Sequence, residues 1–107
     1  MKKPRPSLAV DRSLRKLGGD IRTARLRRSL SMKVVAERAG IGLSTMGKIE
    51  RGDPAVSMGN YAAVLFAVGA GTPFADIMDP TRDEVGLTLD LERLPQRARG
   101  RKLRTLA

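Results

Sequence analysis

Residues 31–52 read SMKVVAERAGIGLSTMGKIERG, and this stretch restricts the fold more than any other. Ser31 is a good helix N-cap, and Val34, Val35, Ala39 and Ile41 form the inner side of the helix it opens. Gly40 suits the left-handed residue that closes a helix. A second short helix follows Gly42, with Thr45, Met46 and Ile49 inward, and Gly52-Asp53-Pro54 breaks it. Ala36 is small where two helices must cross closely. The segment therefore predicts two short helices joined by a tight turn, with Ile41, Met46 and Ile49 fixing the second against other helices.

The flanking sequence supplies those helices. Leu14, Leu17, Ile21 and Leu26 recur near helical spacing, which places a first helix at about 17–29, with room for an earlier turn before Gly18-Gly19. MKKPRPSLAVDRS, residues 1–13, precedes any clear period and is expected to be a flexible basic arm. Ser57 caps a fourth helix, MGNYAAVLFAVG, whose inner face is Tyr61, Val64, Leu65 and Val68 and which Gly69 closes. Thr72-Pro73 pairs an N-cap with proline at the first helical position, so PFADIM is expected to be a short fifth helix. After the turn DPTRD, residues 85–91 alternate: Val85, Leu87, Leu89 and Leu91 on one side, Gly86, Thr88 and Asp90 on the other. That pattern predicts a half-buried strand. A lone strand cannot satisfy its own backbone, so it would pair with a second copy or a different protein. A basic tail follows Pro95. The expected organisation is an arm at 1–13, a helical domain at 14–79, and an extension at 80–107 that carries the strand.

Histidine and cysteine are both absent. That removes the commonest general base at neutral pH, thiolate zinc sites and disulfides. No enzyme activity, metal or cofactor is expected. No apolar run reaches the roughly 20 residues that span a bilayer. The N-terminus lacks the apolar core of a signal peptide. No membrane association is expected, and the location should be cytoplasmic. The net charge is +10 and is uneven. Residues 1–28 hold ten Lys or Arg and two Asp, 29–92 hold five basic and nine acidic residues, and 93–107 hold six basic and no acidic ones. Positive ends around a mildly negative middle suit a polyanion such as nucleic acid. Simple solubility, or docking on an acidic protein, fits the same charge.

The run Val35-Ala36-Glu37-Arg38-Ala39-Gly40-Ile41, then Ser44-Thr45-Met46, then Lys48-Ile49-Glu50-Arg51-Gly52 resembles the Xre/Cro-type helix-turn-helix regulators over about residues 17–77. The resemblance implies an all-α, five-helix, phage-repressor-like domain whose third helix enters the major groove of double-stranded operator DNA. It implies an ion pair between Arg25 and Glu50, with Arg25 also near a phosphate. Ser31, Lys33, Arg51, Ser57 and Asn60 fall at phosphate-contacting positions, as does Gly59. Met32 departs from the family, which usually carries Gln there, with Lys33 as the substitute. Base-facing positions fall at Gly42, Leu43, Ser44, Gly47 and Lys48. Lys48 suits guanine acceptors, Ser44 can donate or accept, and Leu43 suits a thymine methyl. Gly47 costs about 1 kcal/mol against alanine in a helix interior. Either it permits a close approach to DNA or it is a tolerated surface glycine. MKKPRP suits a minor groove or solvent, and RARGRKLR suits DNA or a partner protein.

The segment 76–102 resembles the C-terminal extension of HipB-like regulators, through Asp79-Pro80, the run Asp83-Glu84-Val85-Gly86-Leu87, and Leu94-Pro95-Gln96-Arg97. This resemblance implies a homodimeric repressor of its own operon and a HipA-like kinase toxin as partner, with Val85, Leu87, Leu89 and Leu91 as the dimer or partner strand. A stand-alone Xre-type repressor without a toxin is the alternative.

Overall fold

The computed structural model describes residues 6–94. The chain divides into two compact units, 1–74 and 75–107. In the first, α1 spans Leu8–Arg27, α2 Met32–Ala39, α3 Leu43–Glu50 and α4 Met58–Ala67. Hydroxyls start three of them. Ser7 accepts from the Val10 amide, Ser31 from Val34 and Ser57 from Asn60. Gly40 closes α2 at φ 71°, in the left-handed region.

α1 differs most from expectation. It begins at Leu8 rather than near residue 17 and runs straight through Gly18-Gly19. The Ser7 cap and an Asp11–Arg15 pair one turn apart at 3.1 Å support the added turns. Residues 8–13, expected in the arm, are therefore helical. Its C-terminal end is at Arg27, because Ser29 adopts φ 54° and turns the chain toward α2.

The core lies between the four helices. Ile21, Val35, Ala36, Met46, Ile49, Tyr61, Val64, Leu65 and Val68 are buried, and Leu17, Leu30, Met32, Ile41, Val56 and Phe74 close over them. Each fully buried aliphatic side chain contributes roughly 1.5–3 kcal/mol. α2 packs on α3 and α4, and α1 packs on α3. The α1–α3 contact is backbone to backbone. A Cβ on Gly18 would lie 2.5 Å from the Ile49 carbonyl oxygen and 2.7 Å from that of Glu50. One on Gly52, at φ 74°, would lie 2.5 Å from the Arg15 Cα. The two glycines seat the end of α3 on α1. The short fifth helix expected over PFADIM is a single 3-10 turn, Pro73–Asp76, and Phe74 packs on the core.

In the second unit, the strand expected at 85–91 is not formed: residues 84–94 are helical (α5). Asp83 caps this helix, accepting the Gly86 amide at 3.0 Å on Oδ1. The alternation misleads because leucines two apart also satisfy a helix. Val85 and Leu89 align four apart, and Leu87, Leu91 and Leu94 align on the opposite side. A helix satisfies its own backbone, which a lone strand cannot. All five apolar side chains are exposed. Among the described residues no strand occurs.

Candidate nucleic-acid interface

α3 has two faces. Met46 and Ile49 are fully buried on the inner one. Leu43, Ser44 and Lys48 are exposed on the other, and Gly47 is half-buried beside them. Gly42 starts the helix without a side-chain cap, so the first-turn amides have no capping acceptor. Those amides, the Ser44 hydroxyl and the Lys48 ammonium are donors, and Leu43, 56% exposed, offers an apolar contact.

Gly47 lies between two side chains. A Cβ there would be 3.3 Å from Arg51 Nη1 and 3.8 Å from Met32 Cε. The exposed Arg51 guanidinium is thus folded back along α3 beside Gly47, not only beyond the helix end. Met32 is half-buried and packs against the core, which accounts for an apolar residue at that position. Lys33, its neighbour, is exposed.

Arg25 and Glu50 meet in the interior, their side chains 8% and 6% exposed. Arg25 Nε donates to Glu50 Oε2 at 2.6 Å, Nη2 donates to Oε1 at 3.1 Å, and Nη1 donates to the Leu30 carbonyl at 2.9 Å. This arrangement ties α1 to the end of α3 and to the approach to α2, and it turns Arg25 inward. The hydrogen bond to Glu50, against the opposing effect of burial, raises the guanidinium pKa above its ordinary value. Arg22 Nε stands 4.0 Å from Glu50 Oε1 with its side chain 63% exposed. Local patterning does not reveal this second cation, because its position depends on where α3 ends.

Two helix starts complete the surface. Ser31 and Ser57 are exposed, and each accepts an amide at 3.1 Å while its hydroxyl proton stays free to donate. Gly59 is open, with only Ser57 Oγ near its would-be Cβ, and Asn60 is half-buried. First-turn amides beside a hydroxyl suit a phosphate oxygen. Tyr61 fixes the loop between α3 and α4, donating its hydroxyl to the Asp53 carbonyl at 2.8 Å.

A family model described as a helix-turn-helix domain matches residues 16–73, just over half of the chain. The chain belongs to the helix-turn-helix family. α2 and α3 are the two helices of the motif, and the domain is a DNA-binding one. No curated protein and no solved structure matches significantly. The family match begins at residue 16, so the first turns of α1 in this helix-turn-helix protein lie ahead of it. Among the described residues no helix is long and apolar enough to cross a membrane, and no cluster of acidic side chains could hold a metal.

Proposed function

We propose that this helix-turn-helix protein is a sequence-specific transcriptional repressor that occupies its operator as a homodimer in the cytoplasm. One observation carries the reading. α3 keeps Met46 and Ile49 in the core while Leu43, Ser44, Lys48 and Arg51 face outward with no structural duty. In this reading Leu43, Ser44, Gly47 and Lys48 meet base edges. Ser31, Lys33, Arg51, Ser57 and Asn60 meet phosphates. Arg25, turned inward on Glu50, acts through the fold.

The finer reading is an antitoxin that binds a HipA-like kinase toxin and represses their shared operon. The Asp79–Leu87 and Leu94–Arg97 resemblances support it. A stand-alone repressor is favoured on one point, since the segment expected to offer a strand to a partner is a helix.

The test is binding to a duplex from the region upstream of its own gene, against a mixed-sequence duplex, over a range of salt. Wild type should prefer the upstream duplex and lose affinity steeply as salt rises. Lys48→Ala should narrow the preference by about 1–3 kcal/mol, the worth of one good base contact. Equal affinity for both duplexes would defeat the sequence-specific reading. Co-expression with the adjacent open reading frame separates the two finer readings: growth arrest relieved by this chain, with co-purification, identifies an antitoxin.

A further inference from the structure

The first turns of α1 lie outside the helix-turn-helix match, yet they are seated on the motif. The seat is the Gly18–Gly52 contact, where the backbone of α1 at Leu14-Arg15 meets the turn that ends α3. Residues 11, 15, 18 and 22 share one side of α1, by their spacing of four, three and four. Gly18 touches the end of α3, so the side chains of Arg15 and Arg22 emerge on either side of it. Arg22 reaches to 4.0 Å from Glu50 Oε1, and its side chain is 63% exposed. Arg15 is 71% exposed and, among the described residues, pairs only with Asp11, itself partly exposed, at 3.1 Å. Such an exposed pair is worth little and is readily exchanged for another anion. The Glu50 carboxylate is already held by two bonds from Arg25 and leaves most of the Arg22 charge unspent. Arg51, the residue between Glu50 and Gly52, adds a third exposed guanidinium beside Gly47 on the outward face of α3.

We infer that Arg15 and Arg22 form an additional phosphate-binding row on the DNA strand that passes the C-terminal end of α3. It extends the interface from Arg51 along α1 toward the N-terminal end of that helix. The inference rests on the DNA-binding reading above. The row recognises backbone phosphate, so it adds affinity and salt dependence but no base preference. The ligand is double-stranded DNA, since Arg51 ties the row to the reading face; an acidic protein would need no such continuity with α3.

The experiment uses the full chain with Arg15→Gln, Arg22→Gln and the double variant. An Arg27→Gln/Arg28→Gln variant removes the same charge off the row. Each is titrated against the upstream duplex and the mixed-sequence duplex at several salt concentrations, and thermal melting checks the fold. The double variant should bind both duplexes more weakly by the same factor, about tenfold or more at low salt. The slope of log affinity against log salt should become shallower by roughly 0.9 for each lost contact. The control variant should keep the wild-type slope. An unchanged slope in the double variant, or an equal change in the control, overturns the row while leaving the DNA-binding reading intact. Wild type with no salt-sensitive binding to either duplex overturns both. Loss confined to the upstream duplex also overturns the row, because a phosphate contact cannot discriminate sequence.

Discussion

At position 18 a methyl group meets the Ile49 and Glu50 carbonyls and the Gly52 amide, while at position 19 it meets nothing within 4 Å. The two neighbours should therefore respond oppositely to alanine. Gly18→Ala gains about 1 kcal/mol in helix propensity but must push two backbones apart, and we expect a net loss of about 2 kcal/mol. Gly19→Ala should gain up to about 1 kcal/mol. Urea unfolding of both variants checks the pair, and a Gly18→Ala protein as stable as wild type would refute the seat. Tyr61 gives a second residue-level prediction. Burial, and then the nearby Asp53 charge, raise its pKa above the ordinary value of 10. A folded pKa above the unfolded one means its contribution is intact below about pH 10 and is lost as pH rises through the folded value. Tyr61 is the sole tyrosine and tryptophan is absent, so ultraviolet absorbance reports this one ionisation. The midpoint should lie above 10 in the folded protein and fall toward 10 in denaturant. The capping roles of Ser31, Gly40 and Ser57 were legible in the sequence, since each acts on residues close by. Gly18 was not, because its reason for being glycine lies on another helix.

Elements whose partners are near in sequence were read well, and those judged by pattern alone were not. α2, its turn and α3 follow from a cap, a left-handed glycine and a break. The expected α1 starts late because residues 1–13 show no clear period, and the contact that seats its earlier turns lies far along the chain at Gly52. The alternation at 85–91 predicts a strand that needs an outside partner for its backbone, whereas the helix observed there, α5, needs none and accommodates leucines two apart equally well. Its N-terminal hydrogen bonds give the test. Asp83→Ala removes the acceptor of the Gly86 amide, and the segment should lose about 1 kcal/mol of helix stability. Backbone chemical shifts of residues 84–94 should be helical in wild type and move toward coil in the variant. Extended-strand shifts in the wild-type chain would restore the strand reading.

Over the whole molecule, charge and burial divide the work. The inner faces hold an apolar core with one ion pair inside it, and no buried side-chain polar atom among the described residues lacks a partner. The positive charge that pointed to a polyanion is concentrated in residues 1–28 and 93–107, outside α2 and α3. Charge suited a polyanion and the helix-turn-helix pattern narrowed it to DNA, while Arg15 and Arg22 became visible only once the end of α3 was located on α1. The motif also keeps two kinds of information apart within one helix of eight residues. Met46 and Ile49 carry what the fold needs, whereas Leu43, Ser44 and Lys48 are exposed and a Cβ on Gly47 would meet only the tip of Arg51 and the end of Met32. Mutational drift at those four positions is thus nearly free of thermodynamic penalty. On the proposed base-reading role of these positions, a lineage built on this scaffold could acquire new operators one substitution at a time without passing through unfolded ancestors.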